Sequence, residues 1–135
     1  MNKGILIVSL EMPASQVIDR LVAKLGNIQM RALEEGVKSE RDMHSVMRAT
    51  SLLAGSNIVI RDDLHSIASI CATARAMAKS ACGLGVVLVD YIQLVRCDLG
   101  KDFTREREVA EVSRSLRSEE HTSELQSRLH LVCRL

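Results

Sequence analysis

Aromatic side chains are almost absent from this sequence, which has one tyrosine, Tyr91, one phenylalanine, Phe103, and no tryptophan. Two rings are too few to build a platform on which successive nucleic-acid bases stack. Net charge is nearly missing as well, with 18 Lys+Arg against 17 Asp+Glu. No global basic field advertises nucleic acid and no acidic excess argues for disorder, so any contact with a polyanion has to be local. The four cysteines, Cys71, Cys82, Cys97 and Cys133, form no C-x-x-C pair and do not cluster with histidine at metal spacing. Together with the lack of a signal-peptide pattern, this leads us to expect reduced intracellular thiols. No apolar run approaches the roughly 20 residues of a membrane span, so a soluble, cytoplasmic chain with no membrane partner is expected. His44 and His65 have no partner at metal spacing and are expected to be solvated or capping residues. At 135 residues there is enough chain for one modest domain, whereas a large α/β domain usually needs roughly 200. Either the domain is small or it is incomplete.

What is present is an alternation of short apolar runs and helical stripes. Gly4 to Leu10 is a continuous apolar run of strand length, expected to be buried on both faces. Pro13 fits a first helical turn, and Val17, Ile18, Leu21, Val22 and Leu25 make a stripe that Gly26 closes. A short amphipathic piece follows at Ile28 to Leu33. Ser39 with Asp42 has the spacing of a capping box, after which Met43, Val46, Met47 and Leu53 recur at helical spacing up to Gly55. Met43, Met47 and Met77 are expected to be core filler. Asn57 to Arg61 reads as a second strand. From Ser66, a helix carries Ile67, Ile70, Cys71, Ala74 and Met77 on one face. Gly83-Leu84-Gly85 then turns into a third strand, Val86 to Asp90. After a polar loop from Arg96 to Phe103, a last helix from about Thr104 turns Val109, Val112 and Leu116 inward. Strands and helices in alternation, with all-apolar strands, predict a mainly parallel sheet flanked by helices.

In such sheets ligands bind outside the carboxyl ends of the strands. Two of the three strands end on an acid there, Glu11 and Asp90. Four apolar residues followed by Asp resemble a Walker B element, whose carboxylate holds nucleotide-bound Mg²⁺ through water. The plain structural readings stand beside this one. Asp90 also fits an ordinary strand end at a loop, and Glu11 an acid placed favourably near the start of a helix.

The blocks Ser9-Leu10-Glu11-Met12-Pro13, Val89-Asp90-Tyr91-Ile92-Gln93-Leu94 and Arg107-Glu108-Val109-Ala110-Glu111-Val112-Ser113-Arg114-Ser115-Leu116, in this order and at this separation, resemble the motor domain of bacterial and phage replicative DnaB-type helicases. Asn57 to Asp63 and the helix around Arg75 fit the same family, and the resemblance runs from about Gly4 to Leu116. It implies a RecA-like P-loop ATPase fold and a homohexameric ring. It also implies ATP and Mg²⁺ as cofactors, and translocation on single-stranded or forked DNA, with a helicase loader and primase as further partners. The glutamate of the S-L-E-M block polarises the attacking water in that family, a role that falls here to Glu11, and the Mg²⁺ role falls to Asp90. Phosphoryl transfer to water needs a carboxylate free of the metal as well as one serving it, and two strand-end acids supply both. The loop after the Asp90 strand faces the ring's channel in the family. That makes Lys101 and Arg105, with Arg96 and Arg107 nearby, candidates for contacting DNA phosphates, beside the simpler reading of a solvated loop.

The sequence also departs from that pattern. No G-x-x-x-x-G-K-[ST] occurs: Gly100-Lys101 is followed by Asp102, and Gly36-Val37-Lys38-Ser39 has the wrong spacing. The phosphate-loop strand is therefore expected to be missing, with the chain beginning after it, and this chain alone is expected not to turn over ATP. After Leu116 the family continues into another apolar strand. Here Arg117 to Ser127 resembles the translation, in one frame, of a widely used short-read sequencing adapter. The expected organisation is a partial motor domain over 1–116 and a non-native tail over 117–135 that lies exposed, where His121, His130 and Cys133 carry no function. Two alternatives remain: a RecA-type recombination ATPase, against which the S-L-E-M-P and Arg107 to Leu116 blocks argue, and a non-enzymatic RecA-like interaction module.

Overall fold

The computed structural model describes residues 3–96, 105–121 and 130–133. They fall into two compact units, residues 1–12 with 57–135 and residues 13–56.

The first unit is built on a parallel sheet of β1 (Gly4–Ser9), β2 (Ile58–Arg61), β3 (Leu84–Asp90) and β4 (His130–Cys133) in the order β2-β1-β3-β4. Helices α4 (Ile67–Ala78) and α5 (Arg105–His121) belong to this unit. The apolar runs alternate in burial. Leu6, Val8 and Val89 are wholly buried and Val87 nearly so, packed with Ile70, Cys71 and Ala74 of α4 and Val112 and Leu116 of α5. Each such Leu, Ile or Val contributes about 1.5–3 kcal/mol by leaving water. The opposite face, Ile5 and Ile7 in register with Ile58, Ile60, Val86 and Leu88, is only half-buried. The expectation of strands buried on both faces is thus corrected to one fully covered face. Met77 packs against this core as expected. Ser66 caps α4, its hydroxyl accepting the Ser69 N–H at 3.2 Å. Gly83, at φ 65°, makes the left-handed turn into β3, and its carbonyl accepts the Gly4 N–H at 2.9 Å. A Cβ on Gly4 would lie 2.9 Å from that oxygen, so the two chains can approach only through glycine.

Strand β4 was not foreseen. It lies within the span expected to be a non-native tail, and residues 130–133 pair in parallel with Val86 to Val89. Backbone pairing explains it: β3 is already paired with β1 on one side and offers a second row of N–H and C=O groups on the other.

The second unit holds α1 (Ala14–Gly26), α2 (Met30–Glu34) and α3 (Glu40–Ala54). Pro13 sits at the N-cap, one position before the expected first turn. The left-handed terminus of α1 falls on Asn27, φ 52°, rather than on Gly26. Asparagine tolerates that conformation; Gly26 is the last helical residue, and a Cβ there would meet Ile28 Cδ1 at 2.8 Å. Ser39 does precede α3, but its side chain makes no capping bond. The buried helical residues in this unit are Val22, Ala23, Gly26 and Ala49. Ile18, Leu25, Met43, Met47 and Leu52 are exposed, so Met43 and Met47 are not the core filler expected of them. A unit of this size has too little interior to take up every apolar residue on its helices.

Candidate active site

The chain leaves β1 toward β2 and leaves β3 toward β4, which lie on opposite sides of the β1–β3 pair. The carboxyl ends of β1 and β3 therefore form a topological switch point, where an open α/β sheet presents its binding crevice. Ser9 is the register partner of Asp90, and the Leu10 N–H donates to the Asp90 carbonyl at 2.9 Å. The structure thus brings Glu11 and Asp90 to adjacent strand ends. Beyond Ser9 the chain bends at once. The hydroxyl of Ser9, a residue 2 % exposed, donates to the Met12 carbonyl at 2.9 Å. Leu10 packs against the core, and Glu11 is exposed.

Asp90 is half-buried, and its Oδ1 is a buried oxygen without a hydrogen-bond partner. Buried carboxylate oxygens are costly unless something donates to them or coordinates them. A carboxylate is the class of ligand a hard divalent cation takes, directly or through water. Among the described residues no three His, Cys, Asp or Glu side chains gather to hold a metal.

Arg96 is exposed, with its backbone pinned by the bonds Arg96 N–H to His65 O at 2.7 Å and Ile67 N–H to Arg96 O at 3.0 Å. Lys101 lies outside the described residues, as do Cys97 and Phe103. Arg105 opens α5, with its side chain outside the described set, and Arg107 is exposed on that helix. His44 and His65 are exposed.

Two features escaped sequence reasoning. One is the Ser9 hydrogen bond. The other is a bidentate ion pair on the same edge of the sheet: at the end of β2, Arg61 Nε and Nη2 donate to Asp63 Oδ1 and Oδ2 at 2.7 and 2.6 Å. That hydrogen bonding, then a backbone hydrogen bond at Asp63 itself and then the Arg61 charge, holds the Asp63 carboxyl below its ordinary pKa, and the same hydrogen bonding with the Asp63 charge pushes the guanidinium up. The sequence signal was the run Arg61-Asp62-Asp63, which gives no geometry.

A family model described as the DnaB-like helicase C-terminal domain matches residues 1–126. The chain belongs to this family. Among curated proteins, this DnaB-like chain is 36 % identical over 119 residues to the replicative DNA helicase DnaC of Bacillus subtilis (strain 168). It is 35 % identical over 119 residues to the replicative DNA helicase DnaB of Geobacillus stearothermophilus. Each match takes in 87 % of this chain and 26 % of the relative, so the chain spans about a quarter of their length. Among solved structures, one described as an ATPase domain superposes with a TM-score of 0.83 at 23 % identity, covering 97 % of this chain and 46 % of that one. A DnaB-like replicative helicase, described with its interactions with primase, gives the same score and identity, with 98 % and 32 % covered. At that identity the likeness shows the fold, an α/β parallel sheet flanked by helices. The match to the family model runs beyond Leu116, the boundary expected from the sequence blocks.

Proposed function

We propose that this DnaB-like segment is part of an ATP-driven motor that translocates on single-stranded DNA and unwinds forked duplex. The observation that carries the reading is the register of Ser9 with Asp90, which sets an exposed glutamate and a half-buried aspartate with an unpartnered oxygen at neighbouring strand ends. Glu11, free to reach solvent, accepts a hydrogen bond from the attacking water and orients it. Asp90 would hold the hydrated cation through its carboxylate, and a bound Mg²⁺ would supply charge compensation on the nucleotide's phosphates. Backbone amides and the lysine of a phosphate loop, which this sequence does not contain, complete the site. Lys101 and Arg105 contact DNA phosphates in this reading, and the working form is a cytoplasmic homohexamer, with a loader and primase as partners. Primase is named with one relative of the same fold.

The test is a chimera in which residues 4–116 replace the matched segment of the Bacillus subtilis relative. DNA-stimulated ATP turnover and unwinding of a forked substrate are the expected result. A chimera that assembles and binds nucleotide but neither hydrolyses nor unwinds would favour the non-enzymatic module.

A further inference from the structure

The turn that carries Glu11 is fastened at every position except Glu11 itself. At its start, the Leu10 N–H is bonded to the Asp90 carbonyl at 2.9 Å, and the Leu10 side chain packs against the core. At its end, the Met12 carbonyl accepts the Ser9 hydroxyl at 2.9 Å. Ser9 is the buried polar residue among a core of hydrophobic ones, at 2 % exposure, and lies beside Asp90 in the strand register. A hydroxyl in that position has one strong donor to give. It spends it across three residues, on the carbonyl that follows Glu11, rather than on a strand neighbour.

We propose that Ser9 is a positioning residue for Glu11: its hydroxyl closes the Ser9-to-Met12 turn and so fixes the backbone from which the Glu11 carboxylate reaches the site. The inference rests on the water-orienting role proposed for Glu11. A general base has to be held within hydrogen-bond reach of the proton it accepts, and a displacement of about 1 Å at a reacting group can cost on the order of a hundredfold in rate. An exposed glutamate on a free turn would sample many positions. On a turn tied at both ends, only its own side-chain torsions remain.

The test has a structural and a kinetic arm. In the 135-residue chain, ¹⁵N relaxation reports the amide order parameters of Glu11 and Met12, with Leu6 and Val8 as internal standards. Ser9→Ala and Ser9→Cys are expected to lower the order parameters at Glu11 and Met12 from about 0.85 toward 0.6 or below, leaving Leu6 and Val8 unchanged. Ser9→Thr, which keeps the hydroxyl, restores them. Cysteine fills the serine's volume with a weak donor, so its agreement with alanine separates the lost hydrogen bond from a packing defect. In the chimera described above, Ser9→Ala is expected to lower kcat about tenfold to a hundredfold with KM for ATP unchanged, and to add nothing in a Glu11→Gln background. Order parameters that stay high at Glu11 and Met12, or that fall equally at Leu6 and Val8, overturn the proposal. So does a Ser9→Ala loss of kcat that persists in full when Glu11 is already glutamine. Failure of the Glu11 role itself reads differently: Glu11→Gln alone would then leave turnover intact, whatever the order parameters show.

Discussion

Asp63 and Asp90 stand on the same edge of the sheet in opposite circumstances. Asp63 is exposed and gripped by both nitrogens of the Arg61 fork, whereas Asp90 has one oxygen buried with nothing donating to it. The difference separates a carboxylate already satisfied by an ion pair from one with an unsatisfied oxygen. For Asp63 the consequence is a titration. Its folded pKa is depressed, so whatever stability the pair contributes is present above the unfolded-state value and is lost as pH falls through the lower, folded one. The Arg61 side chain is partly and that of Asp63 largely exposed, so the contribution is small and salt-screened. Arg61→Ala should bring Asp63 back toward the ordinary carboxylate range in a ¹³C carboxyl titration. An Asp63 that titrates identically in both proteins would show that the pair does not persist in solution. Glu11 and Asp90 were legible from sequence because an acid after a run of apolar residues marks a strand end. The Ser9 bond and the Arg61 fork were not, because a side-chain bond across two or three residues depends on a turn conformation that no periodicity encodes.

Among the elements, legibility followed the strength of the pattern. The runs ending at Ser9 and Asp90 and the Ile70, Cys71, Ala74 stripe became the core of the first unit. Their partners are other apolar elements, and burial dominates the energetics. The helices of residues 13–56 have equally regular spacing, yet Ile18, Leu25, Met43 and Met47 are exposed, because periodicity says which residues share a face and not whether anything covers it. Caps divided in the same way: Ser66 bonds the Ser69 N–H, while Ser39, with the better sequence signature, makes no side-chain bond. Strand β4 poses the sharpest question at this scale, since it falls in the tail expected to be non-native and still pairs with β3. Parallel pairing is made by backbone groups and asks little of the sequence beyond an extended, partly apolar run, which His130-Leu131-Val132-Cys133 supplies. We propose that residues 117–135 are nonetheless not native. Long-read sequencing of the source DNA across the Leu116 codon should then give a different continuation, an amphipathic helix running into another apolar strand. A frame that again reads Ser-Glu-Glu-His-Thr-Ser-Glu-Leu-Gln-Ser would end that proposal.

For the whole molecule, family membership follows from the match over residues 1–126 and the identity to replicative helicases. The proposed motor function depends on two acids of unequal role. If Glu11 orients water and Asp90 serves the hydrated ion, neutralising them at nearly constant shape has different consequences. The deciding measurement is ATP turnover together with Mg²⁺-dependent nucleotide binding in the helicase chimera carrying Glu11→Gln or Asp90→Asn. Glu11→Gln should lower kcat by a factor of about 10³ or more while nucleotide affinity stays within about twofold. Asp90→Asn should weaken binding in Mg²⁺ about tenfold or more and leave binding without the metal unchanged. Equal binding defects in the two variants, or full turnover with glutamine at position 11, would contradict the assignment of this edge of the sheet as the site of ATP hydrolysis.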